Sequence, residues 1–278
     1  MSDLLRLEHV TKTFTTGGPP WNRRQVRALD DVSLAVPAGC TLGLVGESGS
    51  GKSTLGRCIL GLTRADSGRV VFEGSDLASL PRRELPAFRR RVQPVFQDPF
   101  GSLDPRWPVG RSVRESLDGF RVGTRADRDA RVLELFERVG LRPSFATRMP
   151  SQLSGGQRQR VAIAAALASE PDLIIADEPV SALDVSVQAQ ILNLFMDLQR
   201  DLGVATVFIT HDLGVVEHVS DDIAVLHHGV VVENGRVDQV MNAPAHPYTR
   251  QLLDAVPPAD PASRPATDHR HRPPDPEN

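Results

Sequence analysis

The chain has 278 residues, 40% of them hydrophobic, enough to bury a substantial core in one or two domains. Its formal net charge of −3 excludes a global basic field of the kind that gathers nucleic acid. The two cysteines, Cys40 and Cys58, lack metal-ligand spacing and point to a reducing compartment, and no segment reaches the roughly 18 to 20 apolar residues needed to span a bilayer.

In chain order, Met1 to Arg6 shows no basic stretch followed by a long apolar run, so no signal peptide is expected. Alternation at Leu4 to Thr15 and at Ala28 to Val36 predicts two strands, with a turn at Gly17-Gly18-Pro19-Pro20 between them. Thr41 to Val45 reads as a buried strand entering a Gly-rich loop, and Lys52 to Leu62 as the helix that loop opens. Arg69 to Phe72 and Val92 to Phe96 are further short strands. The spacing of Val132, Leu135, Phe136 and Val139 belongs to a helical stretch from about Val109 to Val139, and Arg158 to Ala168 is helical again. Strand and helix then alternate through Leu173–Ala176, Val187–Leu202, Ala205–Ile209, Leu213–Val219 and Asp222–Leu226. That order predicts a parallel α/β sheet with a helical insertion at roughly 103–160. There is no internal repeat, so one domain is expected over 1–256. The Pro-rich remainder, 257–278, lacks periodicity and is expected to be disordered.

The loop Gly46-Glu47-Ser48-Gly49-Ser50-Gly51-Lys52-Ser53 lies between a strand and a helix, the context a phosphate-binding loop needs. Its glycines allow a tight turn that aims backbone N–H groups at phosphate oxygens, at the positive end of a helix. Lys52 is expected to reach the β and γ phosphates of ATP, Ser53 to coordinate Mg²⁺, and Thr54 to offer a further hydroxyl. Of the 32 Lys and Arg residues only Lys12 and Lys52 are lysines. A compact ammonium at the loop fits where a planar guanidinium would not. Leu173 to Ala176 ends in two adjacent carboxylates. Asp177 is placed to hold Mg²⁺ through water, and Glu178 to polarise a water for attack on the γ phosphate. Ser154, Gly155 and Gly156 open a second helix whose N-terminus suits a phosphate.

Leu153-Ser154-Gly155-Gly156-Gln157, set between the phosphate loop and Leu173-Ile174-Ile175-Ala176-Asp177-Glu178, resembles the signature motif of ABC transporter ATP-binding subunits. The likeness runs from roughly Leu5 to Val256. It implies a P-loop NTPase of the ABC type, with a RecA-like parallel sheet core, an N-terminal antiparallel β subdomain and an inserted helical subdomain. Gln97 then takes the place of a glutamine bridging Mg²⁺ and the attacking water. The stretch from Gln97 to Pro105 resembles the surface that receives a transmembrane coupling helix. His211 resembles the histidine that contacts the γ phosphate and holds the catalytic water and glutamate. In this family two such domains pack head to tail, so Ser154, Gly155, Gly156 and Gln157 would close the partner's ATP in trans, and Ser181-Ala182-Leu183-Asp184 would cross the interface. Adenine would stack on an aromatic ring, Phe14 or alternatively Trp21, where most members use Tyr; either ring could instead be core.

Ala176 to Gln190 and His246-Pro247-Tyr248-Thr249-Arg250-Gln251-Leu252-Leu253 resemble the oligopeptide/dipeptide importer ATPases. No cysteine follows Cys58, so the C-terminal iron–sulfur cysteines of some such subunits are missing. The resemblance implies an ATP- and Mg²⁺-dependent ATPase, peripheral on the cytoplasmic face of a bacterial plasma membrane. Its implied partners are a homologous ATPase subunit, identical or not, two permeases and an extracytoplasmic solute-binding protein, without nucleic acid. An export ATPase would use the same residues, and a soluble ABC protein remains a third reading.

Overall fold

A computed structural model describes residues 3–17, 24–97, 101 and 103–255. Trp21, Asp98, Pro99, Phe100, Ser102 and the expected tail lie outside the described residues.

Strands β1 (Asp3–Thr16) and β2 (Arg24–Pro37) pair antiparallel, and with β4 (Ser67–Phe72) and β5 (Ser75–Asp76) they form a sheet of order β2-β1-β4-β5. In β2, Val32, Leu34 and Val36 alternate inward as a half-buried strand requires. Leu29 breaks the period of two. Asp31, at φ 55, lies in a bulge between Leu29 and Val32 that restores Leu29 to the core face, and His9, at φ 54, lies in a second bulge between Leu7 and Val10 on β1.

The second sheet has the order β10-β9-β3-β8-β7-β6. Its parallel strands are β3 (Thr41–Val45), β6 (Val92–Val95), β7 (Leu173–Asp177), β8 (Ala205–Ile209) and β9 (Asp222–His227). Every residue of β3 and β8 is buried, as central parallel strands covered on both faces must be. β10 (Val230–Arg236) closes one edge antiparallel to β9. It escapes the alternating strand–helix reading because it follows β9 through a tight turn and its second half is polar.

The helix after the Gly-rich loop, α1 (Lys52–Ile59), stops short of Leu62 because Gly61 turns left-handed at φ 65. A short helix α2 (Leu85–Arg91) leads into β6. Between β6 and β7 come α3 (Val109–Gly119), α4 (Arg125–Arg138) and α5 (Gly155–Leu167). The single helix expected over Val109–Val139 is thus divided. Arg121 at φ 54 and Gly123 at φ 62 end the first piece, and Thr124 caps the second in a reciprocal box with Asp127. α5 opens at Gly155, earlier than Arg158, because Ser154 and Gln157 form a capping box of their own. Leu135, Phe136 and Val139 are fully buried against α3 and α5 as the spacing indicates. Beyond β7 the chain forms α6 (Val185–Leu202) and α7 (Leu213–Val219), and after β10 α8 (Val237–Asn242) and α9 (Pro247–Asp254). No helix among the described residues is long and apolar enough to cross a membrane.

One core lies beneath the antiparallel sheet around Leu5, Leu29, Leu44 and Leu55; another joins the helical insertion to the far face of the parallel sheet. The start of α5 meets α6 so closely that a Cβ on Gly156 would stand 2.4 Å from Val187 Cγ1. Gly156→Ala should therefore destabilise the fold by about 1–3 kcal/mol, and adding Val187→Ala should recover part of that loss in denaturant titrations.

Candidate active site

β3 delivers the Gly-rich loop at the carboxyl edge of the parallel sheet, where ligands of such folds collect. The loop is tightly seated: a Cβ on Gly46 would stand 2.1 Å from the Leu226 carbonyl oxygen, and one on Gly51 2.3 Å from that of Ala28. Both glycines have positive φ, 153° and 112°, so no other residue type fits. Lys52 is 5% exposed and its Nζ donates to the carbonyls of Gly46 at 2.6 Å and Glu47 at 2.9 Å. Burial pushes its pKa down, opposed by the charges of Glu178, Asp177 and Glu47.

A cleft of about 310 Å³ opens beside the loop, lined by Ser48, Gly49, Gly51, Lys52, Ser53, Thr54 and Glu178 together with Val26, Arg27, Ala28 and His228. Gly46, Glu47 and Ser50 belong to the loop but not to that lining. Ser50 turns inward at 4% exposure, and its Oγ has no hydrogen-bond partner among the described residues.

Asp177 ends β7 with its Oδ1 accepting from Ser53 Oγ at 3.1 Å. Burial raises its pKa, with the Ser53 hydrogen bond opposing. Glu178 follows with φ 47, a left-handed conformation that costs a non-glycine residue on the order of 1–3 kcal/mol. Its N–H donates to the Ile209 carbonyl at 2.9 Å, which pins the turn to the end of β8. Gln97 Nε2 donates to Glu178 Oε2 at 3.0 Å, and His211 Nδ1 lies 3.3 Å from Oε1. Gln97 after β6, His211 after β8 and Glu178 after β7 thus meet around one carboxylate. The pairing is not local in sequence, yet all three expected residues arrive together.

The hydroxyl of Ser53 and the carboxylate of Asp177, already in contact, suit a hard divalent cation. Among the described residues no cluster of three His, Cys, Asp or Glu forms a cage made of protein alone. Mg²⁺ commonly takes only one or two protein ligands beside substrate phosphates, so the residues fit it.

Ser154 Oγ accepts from the Gln157 N–H at 3.3 Å, and Gln157 Oε1 accepts from the Ser154 N–H at 3.1 Å. With Gly155 and Gly156 they form a helix start that lines no part of the phosphate-loop cleft. Phe14 is 38% exposed and carries Lys12 Nζ 5.4 Å from its ring centroid. It pairs across the ladder with Val26, which does line the cleft, so the two share a sheet face.

His228, on the β9–β10 turn, also lines the cleft, and no motif in the sequence marks it. His228 has φ 48, and the next residue, Gly229, donates its N–H to the Ser50 carbonyl at 2.8 Å. The Gly229 carbonyl in turn accepts from the Asp30 N–H at 2.8 Å, so the β9–β10 turn ties the loop to β2. The His-His-Gly run announces a hairpin, but nothing in it announces what the hairpin packs against.

Residues 29–181 match the ABC transporter family, and residues 232–278 match the C-terminal region of oligopeptide/dipeptide transporters. The chain belongs to the ABC transporter family. It is 52% identical to a probable peptide ABC transporter ATP-binding protein of Sinorhizobium fredii, over 94% of this chain and 75% of that one. It is 49% identical to the oligopeptide transport ATP-binding protein OppF of Streptococcus mutans, over 93% of this chain and 83% of that one. Its fold superposes with TM-score 0.74 and 34% identity on the ATP-binding cassette MJ0796, solved as a dimer in a post-hydrolysis state with ADP and Pi, covering 84% of this chain and 98% of that one. This ABC ATPase therefore binds ATP and has the P-loop fold its motifs resembled.

The raised pKa of Asp177 has a consequence for stability. The protonated form is favoured in the fold, so this stabilisation is complete below the ordinary value of 3.8 and is lost as pH rises through the higher folded value. Asp177→Asn should melt at a higher temperature than the parent at pH 7, with the difference shrinking on acidification toward 3.8 in nucleotide-free thermal scans.

Proposed function

We propose that this ABC ATPase hydrolyses ATP with Glu178 as the residue that polarises the attacking water, and that the reaction energises import of oligopeptides, dipeptides or similar small solutes. The observation that carries the first part is the Glu178 carboxylate, held between Gln97 and His211 on the wall of the Lys52 cleft. One oxygen faces the Gln97 amide and the other the imidazole, so the carboxylate has a defined direction before substrate arrives. Lys52, already inside the loop, turns its charge to the β and γ phosphates, while Ser53, Thr54 and the loop N–H groups orient them. Ser53, Gln97 and, through water, Asp177 would hold Mg²⁺, which when bound supplies neutralisation of phosphate charge. Phe14 supplies a stacking face for adenine beside Val26. Ser154, Gly155, Gly156 and Gln157 would complete the cleft of a second, homologous subunit, and the reverse, on head-to-tail closure.

The importer reading is supported by the match of residues 232–278 and by relatives named for peptide and oligopeptide transport. A separate groove of about 470 Å³ supports docking of a membrane partner at the cytoplasmic face. It runs between β6 and helices α3 and α5, and Leu60, Phe96, Leu103 and Phe120 give it an apolar lining. Leu62 on its rim is 60% exposed and Phe96 42%, large apolar side chains that a partner's helix would cover. Phe96 is adjacent to Gln97, so a partner in the groove would act directly on the Glu178 contact.

Glu178→Gln should keep MgATP binding while lowering turnover about 10²- to 10⁴-fold; single-turnover assays with undiminished hydrolysis would remove Glu178 from this role. Tagged subunit recovered from native membranes should carry two permeases, a second ATPase subunit and a solute-binding protein. Leu62→Asp should lose the permeases while retaining MgATP affinity. Recovery of a lone exporter membrane protein, or of ribosomes, would overturn the importer assignment.

A further inference from the structure

The His246-Pro247-Tyr248-Thr249-Arg250 segment has a construction that the site described above does not explain. Glu233 on β10 accepts from the N–H groups of Ala245 at 2.7 Å and His246 at 3.0 Å. Arg250 reaches back to the carbonyls of Pro244 at 3.0 Å and Ala245 at 2.9 Å. His246 Nδ1 accepts from the Tyr248 N–H at 3.2 Å, and Pro247 occupies the first turn of α9, where its missing N–H costs nothing. These contacts fix the start of the helix and so the direction of Tyr248. Its ring is 7% exposed, lies 3.7 Å from the His227 ring centroid to centroid, and joins a small core with Val45, Val225 and Val240.

Through that core the Tyr248 hydroxyl reaches the phosphate loop, where it accepts a hydrogen bond from the Glu47 N–H at 3.2 Å. The same peptide plane carries the Gly46 carbonyl, which accepts from Lys52 Nζ at 2.6 Å. A trans peptide places its C=O and N–H on opposite edges, so Tyr248 holds one edge and Lys52 the other. Rotation of this plane would move the carbonyl that Lys52 grips and the turn leading to Ser48 and Gly49.

We propose that Tyr248 is a positioning residue for the phosphate loop: its hydroxyl sets the Gly46–Glu47 peptide, and through it Lys52, so that the C-terminal segment is part of the nucleotide site. This rests on the reading of the loop as the ATP site and adds a residue to it more than 190 positions along the chain. The bond joins a hydroxyl to a backbone amide beneath the surface, and its loss leaves a donor unpaired rather than a ligand contact missing.

The test is Tyr248→Phe in the full chain, which keeps the ring and removes only the acceptor. MgATP affinity by titration calorimetry should fall about three- to tenfold, with the Glu47 amide proton resonance moving upfield and exchanging faster. Val240→Ala loosens the same core without touching the loop; it should lower the melting temperature and leave MgATP affinity at the parent value. Parent-like affinity in Tyr248→Phe, or an equal loss in Val240→Ala, overturns the inference while the site reading stands. A parent chain that binds no MgATP, or a Lys52→Ala variant that binds it as tightly as the parent, overturns the site reading and the inference with it.

Discussion

Strand β3, buried along its whole length between β8 and β9, is the constraint on which the rest of this molecule depends. Its register against β8 and that of β8 against β7 bring three strand ends to one edge of the sheet. The phosphate loop leaves the first, His211 the second, and Asp177 with Glu178 the third. Hydrogen-bonded ladders repeat every few ångströms along a strand. A slip of one residue would therefore move these groups past one another and turn their side chains to the other face. Apolar burial of the central strands, which carries no chemistry, is thus what aligns the chemistry.

The polar groups at this edge are held at a cost that the core offsets. Lys52 is buried against its own loop carbonyls, Asp177 is desolvated, and Glu178 sits in a left-handed backbone conformation. Each departs from what the residue would choose alone, and each lies on the wall of the same cleft or one hydrogen bond from it. A buried ammonium, a desolvated carboxylate and a left-handed glutamate side by side at one strand edge are the pattern of a site pre-organised before its ligand arrives. The same logic extends outward. The groove ends at Phe96, next to Gln97, and the α9 contact reaches Glu47 in the loop, so the proposed membrane partner and the C-terminal segment would each have a short physical route to the cleft.

Much of this was legible in the residues. The glycines of the loop, the apolar run ending in Asp177-Glu178 and the Ser154 helix start all express local rules of backbone freedom, strand burial and capping, and all appear where the spacing put them. The break at Arg121–Gly123 was less visible because the flanking apolar residues keep a helical period on both sides of it. β10 was hidden by its polar half. The Ser154–Gln157 side chains close a helix cap within the chain, while the in-trans role proposed for them comes from family resemblance alone.

Taken alone, the sequence determined the kind of chemistry and the elements that carry it, because phosphate loops, buried strands and helix caps are set by neighbours within a few residues. Family resemblance implied in addition that His211 would hold the catalytic glutamate and that Gln97 would bridge Mg²⁺ and the attacking water; that Gln97 also meets Glu178 is seen only in the structure. Only the tertiary structure decided the distances at which they meet, the seating of Gly46 and Gly51 against the carbonyls of Leu226 and Ala28, and the arrival of His228 and Tyr248 at the loop. Those contacts join segments that are remote along the chain, and a hydrogen bond between them leaves no periodicity or spacing in either segment. They exist because the sheet order brings β9 beside β3, and that order is a property of the packed whole.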